Sequence, residues 1–346
     1  MLPRLLLALC LLPAVACAQP PKNRPRDAAA EAPAPYAARP EVREFAAQVA
    51  ARRQLDADWL LAQLAQARLQ PAAQRLMMPP PAGTAKNWAA YRDRFVEPQR
   101  IGAGLRFWQE QAPWLERAQA QYGVPPHIVV GIVGVETFYG RVTGNFRVLD
   151  VLTTLAFDFP SGRSDRSAFF RSELEEFLLR CQREGVDPTL PKGSFAGAMG
   201  LPQFMPSSLN KWAVDFDGDG RIDLDGSGAD VVGSVAHYLA AHGWQRDMPP
   251  VYAVAPPVDT RQRATLLQPD ILPSFSAEQM VGLGAGLDDG GRAHDGLLAL
   301  VELQNGQAAP SFVAGTQNFY AITRYNQSSY YAMAVITLGE AIQARR

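Results

Sequence analysis

From Ile128 to Tyr139 the chain reads IVVGIVGVETFY, and Glu136 is the only charged residue in that stretch. A helix that is apolar on every side is buried, so this carboxyl is cut off from bulk water. Burying a carboxylate without a cation is costly, and desolvation raises its pKa. A carboxylic acid that keeps its proton near neutral pH is what protonating a glycosidic oxygen requires. Gly131, Gly134 and Gly140 allow close approach by another helix or by a ligand. The competing reading is structural: a buried Glu136 pairs with a cation such as Arg141 and only holds the core together.

A second group of acids lies further along. Asp215-Phe216-Asp217-Gly218-Asp219-Gly220-Arg221-Ile222-Asp223 follows the first nine positions of an EF-hand loop. Asp215, Asp217 and Asp219 offer side-chain oxygens, Gly220 makes the sharp turn, and the carbonyl of Arg221 can face an ion. The twelfth position is Gly226, so the usual bidentate Glu is missing. Acids this close repel one another without a cation, which favours bound Ca2+ over a bare turn. One loop without a paired second hand suggests a stabilising ion rather than a sensor.

One further segment suits a sugar site, and another stands near the C-terminus. KGSFAGAMGLPQFMPSS, from Lys192 to Ser208, has Gly197, Gly200 and Pro202 to hold a tight loop. Ser194 and Gln203 would then present a hydroxyl and an amide to sugar groups. ITRYNQSSYYAMAV runs from Ile322 to Val335.

Taken in order, YGVPPHIVVGIVGVETFYGR and these two segments resemble the membrane-bound lytic murein transglycosylase B family of lysozyme-like enzymes. The resemblance runs from about Tyr91 to the C-terminus and is looser between 250 and 310. It implies a lysozyme-like core in which Glu136 alone is acid and then base. In that family the acid protonates the oxygen joining N-acetylmuramic acid to N-acetylglucosamine. It then takes the proton of the muramic C6 hydroxyl, closing a 1,6-anhydro ring without consuming water. The second carboxylate of ordinary glycosidases becomes unnecessary. The resemblance also places Ser194, Gln203, Tyr238, Tyr325, Asn326 and Tyr331 along the substrate cleft. Aromatic faces with polar tips suit sugars, although each tyrosine taken alone could equally be half-buried core. The family closes its calcium loop with an Asp beyond the usual place, and Asp230 matches it. Here the stretch before Asp230 is one residue longer, which leaves Asp223 and Asp225 as substitutes.

These residues need elements to carry them. The 346 residues are 47% apolar and 19% charged, ordinary globular composition, and the net charge of -1 gives no basic excess for nucleic acid. Residues 1–18 read as a secretory signal, too short to span a bilayer. Ala16-Cys17-Ala18 fits a cleavage site and is the preferred reading, and a lipid anchor at Cys17 is the alternative. Export to the periplasm follows either way, with attachment to the outer membrane in the second case. Residues 19–40 form a Pro/Ala-rich tether, 41–120 an N-terminal helical region, and 121–249 the catalytic core with its calcium loop. Residues 250–318 are a small β-rich insertion, with Asn305-Gly306 as a hairpin turn, and 319–346 return to the core. Phe319 to Thr323 reads as a short β run. Helices are expected over 41–53, 56–68, 103–121, 164–183, 230–241 and 329–344, the fourth with a buried stripe of Phe169, Phe170, Leu174, Phe177, Leu178 and Cys181. The fold class is mainly α (α+β), and a monomer is expected that needs no organic cofactor. With Cys181 alone in the body, no intramolecular disulfide is available.

Two other functions compete. A muramidase would hydrolyse the same bond with water and a second carboxylate, for which Asp150 and Asp158 are the nearest acids. A calcium-dependent wall-binding protein would use Glu136 only structurally.

Overall fold

The helix Pro126–Thr137 is the axis of the molecule in the computed structural model, which describes residues 34–79 and 85–346. The residues expected to form an export signal, Cys17 and most of the expected tether lie outside those residues. Every residue from Ile128 to Val135 is buried, as the all-apolar sequence requires. Pro126 opens the helix, where its missing N–H costs nothing. The helix Ser329–Gln343 lies along it, and glycines set the spacing. A Cβ on Gly131 would run into the Val335 carbonyl, and one on Gly339 into that of His127. Gly134 faces Tyr139 and Leu338. Two of the three glycines of the motif therefore serve helix packing and not a ligand.

Around this pair pack Pro98–Glu110, Ala112–Tyr122 and Gly228–Ala241. The helices Val148–Phe157 and Ser167–Glu184 form a second pair beside them. The single helix expected over 103–121 is two, broken at Gln111, because Pro113 begins a new first turn. Cys181 is buried as expected, but Phe169 is 37% exposed, meets Phe170 edge-on and lies under Arg166. The buried stripe of that helix is therefore narrower than its pattern suggested.

The insertion is an antiparallel sheet in the order Phe275–Ser276, Leu297–Asn305, Ala308–Gly315, Val251–Ala255, Gly286–Leu287. Gly306, at φ 65°, turns the central hairpin. The run LLALVEL looks uniformly apolar because both faces of its strand are covered. Leu298 and Leu300 join the insertion's own core, while Ala299, Val301 and Leu303 face the main one. The sheet thus belongs to the wall of the helical body. The β run expected at Phe319–Thr323 is a helix, Gln317–Thr323, capped by the Thr316 side chain. Its branched residues are held helical by burial against the core, which overrides local preference.

The tether ends earlier than position 40. Tyr36 is buried and its hydroxyl donates to Asp158 at 2.6 Å, while Arg39 grips the same carboxylate through Nη1 at 2.9 Å to both oxygens. Among the described residues no helix is long and apolar enough to cross a membrane.

Candidate active site and calcium loop

Glu136 sits in the last turn of its helix, where the negative end of the helix dipole also disfavours an ionised carboxyl. The chain then leaves through three residues with positive φ, Phe138 (53°), Tyr139 (57°) and Gly140 (85°). Two successive non-glycine residues in the left-handed region are costly, and surrounding contacts must enforce them. Thr137 supplies some. Its buried hydroxyl donates to the Leu201 carbonyl at 2.9 Å and accepts the Gly140 N–H at 3.1 Å. Arg100 lies over the Phe138 ring at 4.4 Å and donates to the Gly134 carbonyl.

One edge of Glu136 stays open to solvent, but its carboxyl is enclosed. Burial pushes its pKa up to about 7, opposed by one hydrogen bond, from the Tyr331 hydroxyl at 2.5 Å. Arg141 does not pair with it. Its guanidinium lies over the Phe138 ring at 4.6 Å, and among the described residues no Lys or Arg forms an ion pair with Glu136. The structural pairing is absent, and what remains is an acid able to give and take a proton near neutrality.

Aromatic rings line one side. Tyr325 is near-parallel to Tyr331 at 6.4 Å, and Tyr238 packs on Tyr325 at 4.7 Å. The Tyr238 hydroxyl is spent on the Arg324 carbonyl at 2.7 Å, so that ring positions Tyr325 and offers no free polar tip. The Tyr325 hydroxyl is buried and has no partner within the protein, leaving it to meet a ligand. Asn326 is exposed in the turn between them. Tyr91 lies close by, its ring edge-on to Tyr330 at 5.9 Å, and after burial the charge of Glu136 helps to raise its phenol pKa. Nothing in the sequence singles out Tyr91, because it lies 45 positions upstream on the short helix Trp88–Asp93 (136 against 91).

The loop after Lys192 packs under the end of the Pro126–Thr137 helix. Residues Phe146–Arg147 pair with Lys192–Gly193, and the Met199 and Phe204 backbones bridge to close the loop. Ser194 accepts the N–H groups of Ala196 at 3.3 Å and Ala198 at 3.0 Å, which leaves its O–H proton to donate. Gln203, at φ 49°, spends its amide nitrogen on the carbonyls of Thr143 at 3.1 Å and Gly200 at 3.0 Å. Only its carbonyl oxygen remains for a sugar hydroxyl, half of what the sequence suggests.

Asp150 and Asp158, the acids a hydrolase would recruit, are both occupied. Asp150 is buried, accepts the Arg68 N–H at 3.0 Å and the Gln70 amide at 3.2 Å, and sits 3.5 Å from Arg147. Asp158 carries Tyr36 and Arg39. Both carboxylates anchor the N-terminal region to the core.

In the acidic loop, carboxylate oxygens of Asp215, Asp217 and Asp230 lie within 4.8 Å of one another. Asp219 is not in that group; its carboxylate accepts the Arg221 N–H at 2.8 Å, and Arg221 is exposed. Asp223 accepts the N–H groups of Asp225 and Gly226 and caps its own turn. Asp230 is the buried member, held by the Phe216 N–H at 2.7 Å and the Asp223 N–H at 2.8 Å. Burial pushes its pKa up against those two bonds, and the charges of Asp217 and Asp215 add to the rise. Three carboxylates converging with no cation side chain among them are a donor set for a hard divalent ion.

The fold and this site define a class: helical proteins that hold one proton-exchanging carboxylic acid against aromatic rings and neutral polar groups. A family model described as Transglycosylase SLT domain matches residues 37–340, and the chain belongs to that family. It is 39% identical over 320 residues to the membrane-bound lytic murein transglycosylase B of Escherichia coli K12, across 90% of this chain and 85% of that protein. Among solved structures, the soluble lytic transglycosylase SltB1 of Pseudomonas aeruginosa superposes with a TM-score of 0.79 at 38% identity, covering 88% of this chain and 99% of that one. The Escherichia coli lytic transglycosylase SLT35 in complex with calcium gives a TM-score of 0.77 at 38% identity, covering 89% and 94%. The lysozyme-like helical architecture expected from the sequence is thereby shown.

Proposed function

We propose that this protein is an exported lytic transglycosylase that cleaves the bond between N-acetylmuramic acid and N-acetylglucosamine in peptidoglycan and leaves 1,6-anhydro ends. The observation that carries this reading is the enclosed carboxyl of Glu136, which among the described residues pairs with no cation and whose pKa burial pushes up to about 7. A protonated Glu136 gives its proton to the glycosidic oxygen as the bond from the muramic C1 breaks. The resulting carboxylate removes the proton of the C6 hydroxyl, whose oxygen bonds to C1 and closes the ring. The proton count of Glu136 is restored and no water enters. A pKa near the working pH suits a group that must act both ways. Tyr331 steadies the ionised form between the two steps, Ser194 and Gln203 offer one donor and one acceptor to the sugars, and Tyr91 and Tyr325 flank the acid. Asn326 stands at the rim. Asp215, Asp217 and Asp230 would hold Ca2+, with Asp219 and the Arg221 carbonyl as outer candidates, and the ion would supply only stability. Residues 1–18 would direct export to the periplasm.

Digestion of sacculi in water enriched in heavy oxygen tests the chemistry. The muramic ends should be unlabelled and lighter by one water than hydrolysed ends; label in them would make the enzyme a muramidase. Asp150→Asn and Asp158→Asn should each keep the anhydro product while lowering the melting temperature, because each loosens the N-terminal region.

The pH dependence follows from the same acid. Activity should fall as pH rises through about 7, where Glu136 loses its proton. Tyr331→Phe removes a bond that favours the ionised form, so the fall should move to higher pH even as kcat drops. A high-pH limb that stays in place or moves down would contradict this role for Tyr331.

A further inference from the structure

We propose that a cavity beside the active site seats the peptide stem of the muramic residue, with Lys86 and Arg94 binding the stem's carboxylates; this rests on the transglycosylase reading above. The cavity has a volume of about 370 Å³ and opens between the Trp88–Asp93 helix, the Asp270–Ile271 corner of the β insertion and the Gln327–Tyr330 segment. That is enough for a few residues of peptide.

Its position follows from a shared wall. Tyr91 lines the cavity and also feels the charge of Glu136. Tyr330, the neighbour of Tyr331, meets the Tyr91 ring edge-on at 5.9 Å. The cavity wall is thus joined to the acid through Tyr91, Tyr330 and the adjacent Tyr331, whose hydroxyl donates to Glu136. The stem hangs from the lactyl group of the same muramic residue whose C1 bond is broken, so it must leave the cleft close to Glu136.

Its chemistry is unlike that of the sugar site. Lys86, Arg94 and Asp270 all line it and are exposed, and among the described residues none of the three forms an ion pair. Sugar rings are neutral and ask for aromatic faces and uncharged hydrogen bonds. A cavity edged by two cations and one anion asks for a ligand that carries carboxylates and an ammonium. On a peptidoglycan strand that ligand is the stem, through its γ-linked glutamate and its diamino acid.

The wall is also prepared in advance. The Gly306 N–H donates to the Lys86 carbonyl at 3.0 Å, and the Ala89 N–H to the Asn305 side chain at 3.2 Å. The hairpin of the insertion thus fixes the backbone that carries Lys86. Asp270 is held at φ 55°, a conformation that a non-glycine residue adopts only when its surroundings enforce it. The insertion thereby forms the far side of the stem pocket.

The test uses the full chain and two substrates, glycan strands with their stems and the same strands after an amidase has removed them. In the Lys86→Glu/Arg94→Glu variant, the ratio of kcat/KM for stem-bearing over stem-free strands should fall about tenfold from the wild-type ratio. Both side chains are exposed, so the fold should survive, and Lys86→Gln/Arg94→Gln gives the same reading at smaller size. A ratio within twofold of wild type would overturn the proposal. So would an equal loss on both substrates, which would put the two cations on the glycan. Failure of the wild-type protein to release anhydro ends from either substrate would instead defeat the transglycosylase reading.

Discussion

Glu136→Gln is expected to cut turnover at least about 10³-fold on purified sacculi, the range set by removing a positioned general acid. The amide keeps the size of the side chain and can still meet the Tyr331 hydroxyl, but it has no proton to deliver. The second half-reaction is lost as well, because the amide cannot take the C6 proton. Stability should move the other way, and its sign follows from the raised pKa. The folded protein holds the Glu136 proton up to about pH 7, whereas an unfolded chain releases it near the ordinary 4.5. Ionised Glu136 therefore lowers stability progressively as pH rises from about 5 to above 7. A shift of this size corresponds to at most about 3 kcal/mol, and less because one edge of Glu136 is open to water. The Gln variant should melt at or above the wild-type temperature at pH 8 and show little gain at pH 5. Activity within tenfold of wild type would remove Glu136 from the mechanism; a lower melting temperature at pH 8 would contradict its burial cost.

The second large effect is expected from calcium. An ion that binds only the folded chain stabilises it by mass action, about 2.7 kcal/mol at one hundred times its dissociation constant. For a chain of this size that is roughly 4 °C in melting temperature. Millimolar calcium should raise the melting temperature and EDTA should lower it. Asp217→Ala is the cleaner probe. Asp217 is exposed, and its carboxylate otherwise accepts only the Ser227 hydroxyl at 3.0 Å and the Asp219 N–H at 3.3 Å. Asp230→Ala should cost more even without the ion, because it also strands the Phe216 and Asp223 N–H groups. Calcium should no longer shift the melting curve of Asp217→Ala. A wild-type curve indifferent to calcium would reduce the loop to a turn stabilised by its own N–H bonds.

The sequence and the tertiary structure contributed different things here. A lone acid in an unbroken apolar helix, and acids alternating with glycines over nine positions, are patterns among neighbours along the chain. Burial of the Pro126–Thr137 helix and the Asp215 turn follow from them, because helical period and loop capping act over a few residues. Which distant group each residue meets depends on how the helices pack, and no local pattern encodes that. Packing placed Tyr331 rather than Arg141 on Glu136, and brought Tyr91 to the same acid. It chose Asp230 over Asp223 and Asp225 as the third carboxylate beside Asp215 and Asp217. It also committed Asp150 and Asp158 to the N-terminal region and left Glu136 without a carboxylate partner from either. Phe319–Thr323 shows the same division at the level of an element. Its side chains favour a strand, yet burial of Phe319, Ala321 and Ile322 in the main core pays for a helix.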